Sequence, residues 1–457
     1  MSFALCSEPD FSDHCPSCII LNPVIQRQRK PFKFLNLLLL NPDFLHMIQG
    51  QWYSLNFTGS DMYKVSKKLK ALKAPIRSFS RDNYSNIEKR VSEAHSILLS
   101  KQQQLLSQPS ISFAIDEREA HRKWQILVKA EESFLRQKSG INWLTNGDCN
   151  SAFFHRMAAS RQSQKHIHFL FDSDGNRVES QQGIIDLCAG YFENLLGSSE
   201  SQPLFISEDI SRLLSFRCSP SQVDKMASLF SNNEIRTAFF SLPRNKAAGP
   251  DGYSAEFFRS CWSVLGPEVI SAIREFFITC QILKQWNATT LALIPKISNA
   301  SSVTEFRPIS CSNTLYKVIS KLLASRLQDL LPSVISHTQS AFIKGRLLVE
   351  NVLLATEIIQ GYGRKNIEPR AMLKVDIRKA FDSVRWDFIL TILKVIGLPH
   401  RFINWISKCL TSPTFSVLVN GNIGGFFKST RGLRQGVALS PYLFVLVMEI
   451  FSKLLEA

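Results

Sequence analysis

The chain has 457 residues, room for two or three domains of the usual ~100–200 residues, and its 45% apolar and 11% aromatic content, with 33 Phe, excludes a disordered or low-complexity protein. Its 54 Lys and Arg against 38 Asp and Glu leave a net charge of +16, which favours polyanionic partners, nucleic acid before membrane. Ten scattered cysteines, no basic-then-apolar leader and no apolar run near the ~20 residues of a membrane span predict an intracellular chain, in the nucleus or cytoplasm, with no membrane and no disulfide-linked partner.

At the start, Ser12 to Pro16 read SDHCP, and His14 stands beside a C-x-x-C formed by Cys15 and Cys18. No second Cys or His pair follows at a zinc-finger spacing, so no metal is assigned there. The apolar run from Phe34 to Leu40 is too short to cross a bilayer. From Ile87 to Leu135 the chain is rich in Lys, Glu and Gln, with Ile87, Val91, Leu98 and Leu105 near helical spacing and a break at Gln108-Pro109. That pattern predicts a helical connector with one packed face. Gly197 to Gln202 reads as a loop.

Beyond Glu234 the character turns to mixed α and β. Gly249-Pro250-Asp251-Gly252 predicts a tight turn, Leu291 to Pro295 a short strand, and Tyr316 to Leu327 an amphipathic helix. From Ala371 to Asp376 the residues alternate, Leu373 and Val375 against Lys374 and Asp376, which predicts a half-buried strand with Asp376 exposed at its end. A helix is expected from about Val384 to Ile396, stopped by Gly397 and Pro399. Phe415 to Val419 should enter a hairpin through Asn420-Gly421, and Ser440 with Pro441 should open an apolar helix reaching the chain end.

The chemistry gathers in LKVDIRKAFDSV, with Asp376 leading and Phe381 five residues later. This segment resembles the first catalytic motif of LINE-type (non-LTR) retrotransposon reverse transcriptases. The likeness continues in the family's order through NKAAGPDGYSAEFF, LALIPK, EFRPISCSNTLYKVISKLLASRL, QSAFIKGR and RGLRQG…LSPYLF. The resemblance implies Asp376 as a catalytic, Mg²⁺-binding carboxylate and Phe381 as a shield against the ribose 2′-hydroxyl. It implies Lys296 and Arg307 at the incoming triphosphate, and Gln435 and Gly436 as positioners of the nucleotide. Arg307 directly precedes Pro308, whose restriction of its neighbour favours an extended backbone that could aim Arg307 inward. After Gly436 the family continues with Asp-Pro, where this chain has Val437-Ala438.

SDHCP resembles the closing motif of the DNase-I-like endonuclease that precedes such polymerases, making Asp13 and His14 a remnant of its catalytic pair. PFKFLNLLLLNPDFLHMIQGQW and EESFLRQKSGINWLTNGDCNSAFFH resemble the region between the two enzymes in plant elements. The implied architecture is α+β: an endonuclease remnant at 1–22, a mainly helical linker region at 23–195, a connector at 196–233, and right-hand polymerase fingers with part of a ferredoxin-like palm at 234–457. Partners would be RNA template, DNA primer and deoxynucleoside triphosphates.

Polymerisation on two Mg²⁺ ions needs more than one carboxylate, and the family supplies the rest from an aromatic-x-Asp-Asp hairpin. No Asp-Asp dipeptide occurs in these 457 residues. The expectation is therefore a truncated, inactive RNA-directed DNA polymerase. A catalytically dead RNA-binding remnant, a pseudogene product and an intron-encoded type of reverse transcriptase remain as alternatives.

Overall fold

The computed structural model describes residues 3–6, 17–20, 31–140, 151–197, 207–244, 246–360, 362 and 372–456. It divides into two compact units, 1–31 and 32–457. In the first, β1 (Phe3–Cys6) pairs antiparallel with β2 (Ser17–Ile20), Phe3 opposite Ile20. Asp13, His14 and Cys15 lie outside the described residues.

The second unit begins with helices. A 3₁₀ turn at Asn36–Leu40 leads into α1 (Asp43–Ser54), which buries Phe44, Ile48 and Trp52, one residue per turn on a single stripe. In α2 (Asp61–Tyr84) the Ser60 side chain accepts from the Tyr63 backbone N–H, and Met62, Val65, Leu69, Leu72 and Ile76 face inward at spacings of three and four. The expected connector is an antiparallel hairpin of α3 (Ile87–Ser107) and α4 (Ile111–Ser139), turning at Gln108-Pro109. Proline lacks the N–H that would continue α3, and Ser110 caps α4 by accepting from Phe113 N–H. α5 (Ser151–Gln164) follows, then the small hairpin of β3 (Leu170–Phe171) and β4 (Arg177–Val178), and α6 (Gln181–Gly197).

Next come α7 (Ser207–Leu213), α8 (Pro220–Ala227) and α9 (Asn232–Phe240); α8 and α9 open with reciprocal Ser–Gln and Ser–Glu caps. α10 (Ala255–Ser260) and α11 (Trp262–Thr279) carry Phe257, Phe258, Phe276 and Phe277 into the main core. β5 (Ala288–Pro295) and β6 (Phe306–Ser312) pair antiparallel, and α12 (Thr314–Val334), α13 (Leu348–Ile359), α14 (Ala380–Ser383), α15 (Trp386–Val395) and α16 (His400–Thr411) intervene before the next strands. β7 (Thr414–Val419) lies parallel to β5, the arrangement a helical crossover allows, and pairs antiparallel with β8 (Asn422–Lys428). The sheet order is β6-β5-β7-β8. Asn420 and Gly421 hold φ of 51° and 87°, the double left-handed turn that matches strand twist. α17 (Ser440–Glu456) closes the described chain.

Two large hydrophobic clusters and a small one around Leu135 and Phe154 organise the described residues of this unit. The largest joins α1, α2, α9 to α12 and α15 to α17. The second packs Ile184, Ile185, Cys188 and Phe192 of α6 onto Leu291, Phe415 and Val417 of the sheet.

One expectation fails. Residues 372–377 form no strand, Leu373 and Val375 are 87% and 59% exposed, and no described segment pairs with them. Alternation gives a segment two faces, but a strand also needs a neighbouring backbone to satisfy its N–H and C=O groups. The helix expected from Val384 starts at Trp386, because Val384 holds an extended backbone after α14.

Candidate functional site

The site forms where the turn after residue 379 meets the segment 430–436. Lys379 adopts a left-handed conformation, φ 54°, which starts α14 and turns Phe381 and Asp382 toward the protein. Phe381 stacks flat on Phe444 of α17, ring centroids 4.3 Å apart and planes at 18°. Its carbonyl accepts a hydrogen bond from Leu433 N–H at 2.7 Å, and the Val384 carbonyl accepts from Gly432 N–H at 2.7 Å. Trp386 Nε1–H donates to the Gly432 carbonyl at 2.8 Å.

Gly432 holds φ of +92°, and a Cβ there would lie 2.7 Å from Leu196 Cδ2 and 3.0 Å from the Asp382 carbonyl oxygen. Only glycine fits that bend without displacement. Gly436, at φ +96°, has ordinary space around it, so its backbone angle rather than close packing calls for glycine.

Gln435 Nε2–H donates to both Asp382 carboxylate oxygens, at 3.2 and 3.4 Å, and its backbone carbonyl accepts from Ser310 N–H on β6 at 2.9 Å. Asp382 is buried, and loss of water raises its carboxyl above the ordinary carboxylate range. The Gln435 hydrogen bond and the nearby ammonium groups of Lys379 and Lys296 partly offset that rise. Leu291, Pro308, Ser310, Asp382, Gly432 and Gln435 line one small cleft.

Arg434 points the other way, into the core. Its guanidinium donates to Asn287 Oδ1 (2.7 Å), Thr289 Oγ1 (3.1 Å), the Cys409 carbonyl (2.7 Å) and the Tyr316 hydroxyl, and it lies 4.0 Å from the Tyr316 ring centroid. One side chain thereby ties β5, α12 and α16 to the residue preceding Gln435.

The structure brings together Phe381, Gln435 and Gly436 from the expected set. Lys296 is exposed just past β5, its ammonium donating to the Thr304 carbonyl at 2.8 Å. Arg307 is on β6 opposite Ile294, and both are exposed; the inward residues are its neighbours Phe306 and Pro308, so the inward aim expected of Arg307 is corrected. Strand alternation sends Arg307 to the face opposite Pro308. Asp376 is exposed in the unpaired segment 372–377. Sequence reading missed Asp382 and Arg434 as site residues. The only signal was their adjacency to Phe381 and Gln435, since their partners lie tens of residues away.

Among the described residues no three His, Cys, Asp or Glu side chains gather closely enough to hold a metal ion. A lone exposed Asp376 does not fit a two-ion site, so no step through Mg²⁺ is derived.

Comparison with known proteins puts this geometry in context. Residues 294–457 match the family described as reverse transcriptase (RNA-dependent DNA polymerase). The chain is 28% identical over 330 residues to an uncharacterized 149 kDa protein of transposon TX1 from Xenopus laevis, covering 72% of this chain and 25% of that protein. It is 28% identical over 219 residues to a Pol polyprotein of a type-1 retrotransposable element R2 from Nasonia vitripennis, covering 48% and 20%. The corresponding Drosophila melanogaster polyprotein of a type-2 element, R2DM, is 25% identical over 228 residues, covering 50% and 21%. The chain thus spans about a quarter or less of the length of these relatives.

Proposed function

We propose that this chain, which carries over residues 294–457 a reverse-transcriptase domain shared with non-LTR retrotransposon polyproteins, forms the nucleotide-holding front of an RNA-directed DNA polymerase and does not by itself complete the catalytic centre. Residues 234–457 would be the fingers and first part of the palm. The observation that carries this reading is the meeting of the Gln435 amide with the buried Asp382 carboxyl in one cleft, with the carbonyl of the neighbouring Phe381 bonded to Leu433 N–H of the same segment. Phe381 would supply an aromatic ring, Gln435 an amide held by a buried carboxyl, and Lys296 a cation, the three chemistries that sugar, base and phosphate require.

RNA template, DNA primer and deoxynucleoside triphosphates are the partners, and the net charge of +16 supports holding them. Reverse-transcriptase domains use divalent metal ions. Here Asp376 is the candidate ligand, and the 457 residues contain no Asp-Asp pair to add to it. The residue types of SDHCP, with Asp13 and His14, support residues 1–22 as the tail of an endonuclease domain of a plant-type element. Residues 23–195 and 196–233 would be linker region and connector.

A primer-extension assay with Mg²⁺ on an RNA template tests the proposal, alongside binding of a fluorescent deoxynucleotide to the chain with an RNA–DNA hybrid. Nucleotide binding that Gln435→Ala weakens is expected, with extension at least about 10³-fold below an intact enzyme. Efficient extension abolished by Asp376→Asn would overturn the incomplete centre, and absence of nucleotide binding would overturn the nucleotide site. The +16 charge also favours a second reading, a catalytically silent RNA-holding protein, which would bind RNA but no deoxynucleotide.

A further inference from the structure

Helix α6 lies outside the matched domain, which begins at residue 294, yet its last turns are built into the site. The Leu196 carbonyl accepts from the backbone N–H groups of Thr430 (2.8 Å) and Arg431 (3.1 Å), and the Leu195 carbonyl accepts from Arg431 Nε–H at 2.9 Å. The last carbonyls of a helix have no partner within it and carry the negative end of its dipole, so they receive a guanidinium well. The fit is close, since the Gly432 backbone passes against Leu196 where a Cβ would not fit.

About one turn earlier on the same helix, the Tyr191 ring holds the Lys379 ammonium 4.7 Å from its centroid. Both halves of the site, 379–382 and 430–435, therefore touch α6. From Arg431 the contacts continue residue by residue: Gly432 N–H to the Val384 carbonyl, Leu433 N–H to the Phe381 carbonyl, Gln435 to Asp382.

We infer that α6 is a positioning element of the nucleotide site and Arg431 its positioning residue. By anchoring the segment 430–435 to the carbonyl end of α6, Arg431 sets where Gln435 and Phe381 stand relative to a bound deoxynucleotide. This rests on the nucleotide-site reading above and assigns to the helix that joins the upstream linker region to the connector a share in the polymerase site.

The test uses the full 457-residue chain with Arg431→Gln and Arg431→Lys, followed by hydrogen–deuterium exchange and by binding of a fluorescent deoxynucleoside triphosphate with an RNA–DNA hybrid. Arg431 is only half-buried, so neither variant removes core packing, and an unchanged thermal midpoint checks that. In Arg431→Gln, exchange at Gly432 and Leu433 should rise about tenfold or more while the amides of α2 stay as they were, and the deoxynucleotide Kd should rise about tenfold. Arg431→Lys should restore both, because an ammonium still donates to the Leu195 carbonyl. Unchanged exchange at 432–433 in Arg431→Gln, or a lysine variant no better than glutamine, overturns the inference. If the unaltered chain binds no deoxynucleotide, the nucleotide reading fails separately, and the exchange comparison still decides whether α6 holds the segment.

Discussion

Asp251 sits in the Gly249-Pro250-Asp251-Gly252 turn, where its backbone N–H donates to Asn313 Oδ1 and its carboxylate accepts from Tyr253 N–H, both at 3.0 Å. Loss of water pushes its carboxyl up to about 6, although the ammonium groups of Lys73 on α2 and Lys317 on α12 pull the other way. An aspartate whose folded value lies above its unfolded one costs stability when ionised; the cost is complete above about pH 6 and fades as pH falls toward the unfolded value near 3.8. At most it is about 3 kcal/mol, by the usual conversion of such a rise. Asp251→Asn keeps an acceptor for Tyr253 and removes the charge, so thermal unfolding should show the variant ahead of the unaltered chain at pH 7.5, with the gap narrowing through pH 5 and closing toward the unfolded value near 3.8. A variant that unfolds before the unaltered chain at pH 7.5, with that lag shrinking on acidification, would mean that the two lysines, not burial, dominate. The turn itself was legible from Gly-Pro-Asp-Gly, and Gly252 shows why: at φ +83°, a Cβ would come within 2.0 Å of the Phe32 carbonyl oxygen. Asp382 was not legible in the same way. Its importance depends on Gln435, 53 residues later, and nothing local announces that pairing.

At the level of elements, helices and turns with local causes followed the sequence. The break at Gln108-Pro109, the Asn420-Gly421 hairpin and the start of α17 at Ser440 each depend on residues within a few positions of one another. Residues 372–377 did not follow, because a strand is a relation between two backbones. The same region holds α13, whose Leu348, Val352, Leu353 and Leu354 are all more than half exposed and which buries no residue. Helices draw most of their stability from a packed face, so α13 should open far more readily than α12, which buries fourteen residues. Limited proteolysis read by mass spectrometry should give first cuts within α13 and spare α12. Protection of α13 instead would show that its exposed apolar face is covered in solution.

For the whole molecule, the +16 charge sets the behaviour with polyanions. Phosphate contacts release counterions, so affinity for single-stranded RNA should fall about tenfold or more between about 50 and about 200 mM salt, measured by fluorescence anisotropy. A flat salt dependence would remove electrostatic holding of RNA from the proposed function. The kind of chain, its basic character, most of its helices, its hairpin turns and the motif series shared with reverse transcriptases were determined by sequence alone, since composition and short-range patterning carry them. Tertiary structure decided the rest: that Phe381 and Gln435 meet, that Asp382 joins them, that Arg307 faces outward, that Asp376 stands on an unpaired segment, and that α6 supports the site. Each of these depends on which distant backbones become neighbours, and hydrogen-bond partners and burial exist only once the chain has folded.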